Sequence, residues 1–478
     1  MYTKLALLID GEWIEETKAG SETVINPATE QPLGTLPHAA KPELDRALAA
    51  ASRAFESWKR TSPFERAQIL RHAADLMRQR VDHIATVLTL EEGKTLAEAK
   101  GEITAAAEFF DWFAEEARRS YGRVIPARLA DMRQTVTQEP VGPVACFTPW
   151  NFPAVTPARK IAPALAAGCT CIIKPAEETP GTTLEIARAL TDAGLPKGVL
   201  NVVFGVPAEV SEYLIRSPII RKISFTGSTP VGRHLARLAG ETLTLATMEL
   251  GGHAPVIVAK DADVQRAAEL SMAIKLRNTG QVCTSPTRFF VERPIYEEYL
   301  EHARAFVQKQ VVGDGLQSGT TVGPVANTRR IAAMDDLIGD ALSHQARLIT
   351  GGERINASGL MYAPTILADI PGHARAMIEE PFGPLALVQS VDDIEQGLAR
   401  ANALPYGLAG YAFTRSAATA NRISEAMEVG VIGINQMVVT IPETPFGGIG
   451  HSGWGREGGI EGLESYTVKK YVGHLHVS

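Results

Sequence analysis

Cysteine is scarce. Only Cys146, Cys169, Cys171 and Cys283 occur among 478 residues, too few and too unevenly spaced for a disulfide framework. A reducing compartment is expected, with the cytoplasm as the default. Long apolar runs are missing: none approaches the ~18 residues that span a bilayer, so no membrane partner is expected. The start, Met1 to Asp10, is only briefly apolar and runs into Gly11-Glu12-Trp13 without a small-residue cleavage site, so no signal peptide is read. A basic block is also missing. Lys and Arg number 47 against 54 Asp and Glu, a net charge of -7, which gives no footing for a nucleic-acid partner. The 11 histidines show no His-x-x-x-His spacing, and Cys169-x-Cys171 lacks a second Cys/His pair, so no metal is expected and both read as core thiols. No internal repeat or low-complexity tract occurs.

What remains is an ordinary globular composition, 45% hydrophobic and 21% charged. The length suits about three domains. Through about residue 120 the apolar spacing is mainly helical, as in Asp45–Phe55, Ala67–Met77 and Glu108–Ala117. From Val141 short apolar runs (Val144–Phe147, Cys171–Lys174, Val199–Phe204, Lys222–Phe225) alternate with helical stretches (Pro157–Ala167, Thr182–Ala193, Val231–Ala239). That alternation predicts βαβ units and a parallel, Rossmann-like sheet. A second series follows Gly251-Gly252, with strands expected at Pro255–Ala259, Arg288–Val291, Leu385–Gln389 and Gly410–Phe413 and helices at Val264–Leu276 and Tyr296–Gln308. The segments Gly122–Val141 and Ser465–Ser478 alternate at period two. They read as strands leaving the main body, to pair with each other or with a neighbouring subunit.

Five places have the residue types that chemistry needs. Cys283 sits at a polar, glycine-containing break between a helix and a strand, which suits an exposed nucleophile or a buried structural thiol. Glu249, beside Gly251-Gly252, reads as a mobile base or as a solvated loop glutamate. Asn151 follows a parallel strand, where ligands of open α/β sheets bind, and its amide is either an oxyanion donor or part of a turn between two prolines. Gly227 and Ser228 lie at a strand–helix turn that suits a phosphate or an ordinary N-cap. Lys174 and Glu177 end another strand and suit ribose hydroxyls or solvent.

Individually these signals are weak, but their order is informative. T-P-W-N-F-P (148–153), K-P-A-E-E-T-P (174–180), F-T-G-S-T (225–229), M-E-L-G-G (248–252), G-Q-V-C (280–283), E-E-P-F-G-P (379–384) and P-F-G-G-x-x-x-S-G-x-G-R-E-G (445–458) follow Asn26-Pro-Ala-Thr29. Together they resemble the NAD(P)-dependent aldehyde dehydrogenase superfamily over essentially the whole chain. The resemblance implies an α/β fold with a Rossmann-like NAD-binding domain (1–121 and 142–250), an α/β catalytic domain (251–435) and a β oligomerisation arm (122–141 and 460–478). It also implies a homodimer or homotetramer.

Carried over residue by residue, the resemblance makes Cys283 the nucleophile, Asn151 and the Cys283 backbone N–H the oxyanion donors, and Glu249 the base for thioester hydrolysis. It puts Thr148, Trp150, Lys174, Glu177, Gly205, Gly227, Ser228, Leu250, Glu380 and Phe382 against the dinucleotide. Glu177 favours NAD, since a carboxylate binds a free 2′-hydroxyl and repels a 2′-phosphate, while Lys174 keeps NADP open. Within the family the chain is most similar to the succinate-semialdehyde and 2-oxoglutarate-semialdehyde dehydrogenases. In those, arginines at the positions of Arg159 and Arg277 bind the distal carboxylate, and Thr440 stands where a hydroxyl assists. Each arginine alone suits pairing with a local acid equally well. Gly450 and His451 depart from the residues many relatives carry there. Ser285 replaces the second cysteine of some succinate-semialdehyde enzymes, so no redox switch is expected at that place. The alternatives are a broad-specificity aldehyde dehydrogenase, a coenzyme-A-acylating dehydrogenase, a cofactor-free thiol esterase and a non-catalytic binding protein. The intact Cys283, Glu249 and Asn151 argue against the last.

Overall fold

A computed structural model describes residues 2–355 and 359–476, so Met1, residues 356–358 and the last two residues of the C-terminal segment lie outside it. Chain order begins with strands rather than helices. Leu7–Ile9 and Glu12–Ile14 form a hairpin, Ser21–Ile25 and Pro32–Pro37 a second antiparallel pair, and the first helix is Lys41–Trp58. The mainly helical reading of the stretch to about residue 120 holds from Lys41 onward, in the helices Lys41–Trp58, Pro63–Gln79, Val81–Glu92 and Leu96–Ala117, and the four short strands ahead of them have no counterpart in it. Asp10 and Gly11, at φ 55° and 77°, form the two-residue turn between the first two strands. Asp-Gly favours that primed geometry, which matches the twist of the strands it joins.

The first sheet has eight strands in the order Glu12–Ile14, Leu7–Ile9, Leu200–Val202, Cys171–Lys174, Val144–Phe147, Lys222–Thr226, Leu245–Glu249, Gly453–Trp454. Its five central strands are parallel, and the outer strands at both edges are antiparallel. The chain builds outward from Val144–Phe147 on one side and then crosses back to Lys222–Thr226. The boundary between these two neighbours is the topological switch point, where a crevice opens at the carboxyl ends of the strands. Val144–Phe147 and Cys171–Lys174 are buried along their whole length, as parallel strands covered on both faces must be.

A second sheet of seven strands runs Arg347–Thr350, Thr365–Ala368, Leu385–Val391, Pro286–Glu292, Ala254–Val258, Ala409–Phe413, Val431–Ile434. All are parallel except the edge strand Arg347–Thr350. Separate apolar cores lie around the first sheet and on the two faces of the second.

Of the two period-two segments, Met132–Pro140 pairs with Thr467–Leu475 antiparallel in unbroken register, and Arg123–Ile125 completes a three-stranded sheet. The two segments therefore pair with each other within one chain. No helix among the described residues is long and apolar enough to cross a membrane.

Candidate active site

The two sheets meet at a cavity of about 700 Å³ that Cys283, Glu249, Asn151, Arg159, Arg277 and Thr440 all border. Cys283 precedes the strand Pro286–Glu292 and follows a tight kink over Arg277–Gly280. Asn278 and Thr279 there have φ of 49° and 55°, a left-handed conformation that is rare for a β-branched residue and persists only where neighbours impose it. The neighbours are visible. The Asn278 N–H donates to Glu98 Oε1 (2.8 Å), Asn278 Nδ2 donates to the Asn151 carbonyl (2.9 Å), and the Thr279 hydroxyl donates to the Gly323 carbonyl (3.0 Å). The chain thus presents Cys283 half-buried at the cavity, whereas Cys146, Cys169 and Cys171 are fully buried free thiols.

Asn151 is 5% exposed and directs Nδ2 to the Gln281 carbonyl (2.9 Å), in the loop that carries the cysteine. Glu249 ends the strand Leu245–Glu249. It is 2% exposed, and both of its carboxylate oxygens lack a hydrogen-bond partner. A solvated loop glutamate is therefore ruled out. The antiparallel strand Gly453–Trp454 covers it, pairing Glu249 with Gly453.

Burial dominates the electrostatics. It pushes the Cys283 thiol up to about 12, opposed by the Arg159 cation and reinforced by Glu380 and Glu249. It holds the Glu249 carboxyl well above the ordinary carboxylate range, with Glu457 adding to the effect and Lys160 and Arg159 opposing it.

Arg159, on the helix Val155–Ala167, is buried with its guanidinium 4.9 Å from the Phe109 ring centre and 4.5 Å from that of Phe446. Its Nε has no partner. The Arg277 guanidinium lies 5.2 Å from the Phe152 ring centre. Neither is in an ion pair with a described carboxylate, so the local-acid alternative fails for both.

The predicted dinucleotide residues divide into two sets. Trp150, Gly227, Ser228, Leu250, Glu380 and Phe382 border the cavity, and Trp150 and Phe382 meet edge to face at 5.5 Å. Glu380, pushed up to about 7 by burial, accepts from the Gly252 N–H (3.1 Å). Thr148, Lys174, Glu177 and Gly205 do not border it and lie farther along the same strand ends. Lys174 and Glu177 are largely buried and joined by a 2.5 Å ion pair, with the Gly205 N–H donating to Glu177 Oε1 (3.3 Å). This replaces the reading of a solvent-facing pair.

Two hydroxyls at the switch point, Thr148 Oγ1 and Thr226 Oγ1, are buried without partners. Ser228 stands at the N-cap of the helix Thr229–Glu241 without using its side chain to cap it. Unpaired donors beside a helix N-terminus fit a pyrophosphate and ribose. Gly450 ends the exposed two-residue strand Ile449–Gly450, His451 is the turn residue after it, and neither borders the cavity; the His451 ring packs edge to face on Tyr406 at 6.3 Å.

Sequence reasoning missed Glu457 and Lys160. Glu457 borders the cavity, and its Oε1 accepts from Lys160 Nζ (2.5 Å) and Ser224 Oγ (3.2 Å), while Oε2 is unpartnered. Its signal was its place inside the 445–458 motif.

The family model "Aldehyde dehydrogenase family" matches residues 13–472. A 4-(hydroxymethyl)benzenesulfonate dehydrogenase of Comamonas testosteroni is 47% identical over 475 residues, covering 99% of each chain. The NADP(+) succinate-semialdehyde dehydrogenase of Escherichia coli is 43% identical over 97% of this chain and 96% of its own. The crystal structure of succinate-semialdehyde dehydrogenase from Burkholderia pseudomallei superposes with a TM-score of 0.97 at 42% identity, covering 99% of this chain and 98% of that one.

Proposed function

The chain belongs to the aldehyde dehydrogenase family, and from that premise we propose that it oxidises an aldehyde bearing a distal anion to the corresponding acid. The observation that carries this reading is one cavity in which a thiol, an amide and a carboxylate without a hydrogen-bond partner share walls with two guanidinium groups that form no ion pair with a described carboxylate.

Cys283 Sγ attacks the aldehyde carbon, forming a thiohemiacetal whose oxygen takes hydrogen bonds from Asn151 Nδ2 and the Cys283 N–H. A bound dinucleotide would supply the hydride acceptor that conversion of this adduct to a thioester requires. Thr148, Lys174, Glu177, Gly227 and Ser228 would hold it, with Glu380 and Phe382 at its nicotinamide end. Glu249 removes a proton from the water that attacks the thioester, releasing the acid and restoring the thiol. Residues 1–121 and 142–250 are the dinucleotide-binding part and 251–435 the part that carries the cysteine. Four free cysteines suit a reducing, cytoplasmic setting.

Arg159 and Arg277 bind the substrate's far end, because guanidinium groups pair bidentately with carboxylate or sulfonate. Succinate semialdehyde and 2-oxoglutarate semialdehyde are the favoured substrates. A second reading, an aromatic sulfonate, has its own support in the rings of Phe109, Phe446 and Phe152 that flank the two arginines. Glu177 favours NAD, and Lys174, which partly neutralises it, leaves NADP usable at lower efficiency.

NADH formation should be measured on succinate, glutarate and 2-oxoglutarate semialdehydes, 4-formylbenzenesulfonate, betaine aldehyde and neutral aliphatic aldehydes. Measurements use the native chain, Arg159→Ala and Arg277→Ala, with both cofactors. Anionic aldehydes should be preferred, and each substitution should lower kcat/KM on them by roughly 10- to 100-fold, about 1.5–3 kcal/mol for a charged hydrogen bond. Equal losses on neutral aldehydes would sink the anion assignment, and a clear NADP preference would sink that of NAD.

A further inference from the structure

Lys94 lies in the turn before the helix Leu96–Ala117, with 1% of its surface exposed, and it takes no part in the chemistry described above. Its Nζ donates to Glu102 Oε2 (2.6 Å) and to the main-chain carbonyl of Asn151 (2.8 Å), and it sits 4.0 Å from the Phe152 ring centre. Burying an ammonium is costly, and this one is matched by a carboxylate that is itself 3% exposed. The other oxygen of Glu102 accepts from the N–H groups of Ala154 (2.9 Å) and Val155 (3.3 Å), at the start of the helix that carries Arg159.

The same Asn151 carbonyl also accepts from Asn278 Nδ2 (2.9 Å), on the strained turn ahead of Cys283. Both lone pairs of that carbonyl are thus occupied by donors from two different segments. The peptide plane at Asn151–Phe152 cannot rotate without breaking one of them, so the backbone from which the Asn151 side chain projects is held in place. One of its two Nδ2 hydrogens goes to the Gln281 carbonyl, which leaves the other for the cavity.

We propose that Lys94, with Glu102 and Asn278, is a positioning residue that clamps the Asn151 backbone and thereby aims its amide at the oxyanion formed on Cys283. The proposal rests on the oxyanion role given to Asn151 above. Oxyanion donors act through alignment, and a misplacement of about 1 Å costs on the order of 100-fold.

The test is a double-mutant cycle on the full chain, read as kcat for aldehyde oxidation and, without cofactor, as Cys283-dependent hydrolysis of 4-nitrophenyl acetate. Asn151→Ala should lower kcat by about 100- to 1000-fold. Lys94→Met should lower it by roughly 10- to 100-fold, and the two together by no more than Asn151→Ala alone. Lys94→Met leaves Glu102 charged and unpaired, so the neutral pair Lys94→Met with Glu102→Gln runs the same cycle if the single variant does not fold. Equal losses for the lysine change with and without Asn151 would mean a merely structural ion pair and would overturn the clamp while leaving the oxyanion role intact. No loss in Asn151→Ala would overturn the oxyanion role itself, and the clamp with it.

Discussion

Cys283 and Glu249 present the same problem at the scale of the residue. In the proposed reaction each is needed as an anion, and each sits where burial favours the neutral form. For the thiol, the folded value is pushed up to about 12 from an ordinary 9.0, so only a small thiolate fraction exists near neutrality. That fraction grows tenfold per pH unit until the folded value is reached, and only the thiolate reacts with an electrophile. Iodoacetamide should therefore alkylate the cofactor-free protein at Cys283 with a rate that climbs about tenfold per unit from pH 7 to 10. The other three cysteines, buried, stay unmodified. Mass spectrometry of quenched time points checks this, and a rate that levels off by pH 9 would show that the thiol is not raised. That Cys283, Asn151, Arg159 and Arg277 would come together at one cavity was legible, because each stands in a recognisable run of residues. The burial of Glu249 was not, because Gly251-Gly252 reads as an open loop, while the strand that covers it, Gly453–Trp454, comes some 200 positions later. Nor could the sequence show that Lys160 reaches Glu457, a contact between residues 297 positions apart.

Elements were easier to read than their environments. Val144–Phe147, Cys171–Lys174 and Val264–Leu276 have the bounds their apolar patterns predict. The opening hairpin was missed although its Asp-Gly turn is a strong local signal, because its strands are only three residues long and show no usable periodicity. The element on which the proposed activity turns is the loop Arg277–Gly280, whose shape no propensity would favour. Three consecutive residues, Asn278, Thr279 and Gly280, have positive φ, the last at 74°. A Cβ at Gly280 would also run into the Gly383 carbonyl oxygen and close on Pro384 N, backbone atoms that cannot turn aside. Gly280→Ala is therefore expected to lose more than about 1 kcal/mol from the left-handed conformation alone, with the contact adding to it. Chemical denaturation should show a lower midpoint at unchanged slope, together with a fall in kcat as Cys283 shifts. A variant with the native midpoint would mean that the loop relaxes freely and that its strain positions nothing.

At the scale of the molecule, the two βα series were visible as separate alternations, and the structure joins them at the cavity that both border. The place of the remaining segments depended on a contact that no local pattern encodes, the pairing of Met132–Pro140 with Thr467–Leu475 across more than 300 residues. The resulting three-stranded sheet leaves several of its apolar side chains exposed. Val124 is 67% exposed, Tyr471 55% and Leu475 51%. A soluble chain seldom leaves such a ribbon of apolar side chains bare, and long uncovered strands invite pairing with another copy. A homodimer or homotetramer assembled through this sheet is therefore the expected outcome, to be tested by the size of the species in solution. Tyr471 and Leu475 are four residues apart on one strand and so point to the same face. Tyr471→Glu with Leu475→Glu would bury like charges in any interface formed there, without touching the cavity. Sedimentation velocity at micromolar protein should show the native chain as a dimer or tetramer and the variant as a smaller species. The circular dichroism spectrum should be unchanged, because the backbone pairing with Met132–Pro140 does not depend on these side chains. A native chain that sediments as a monomer, or a variant that assembles as before, would place the contact elsewhere on the surface.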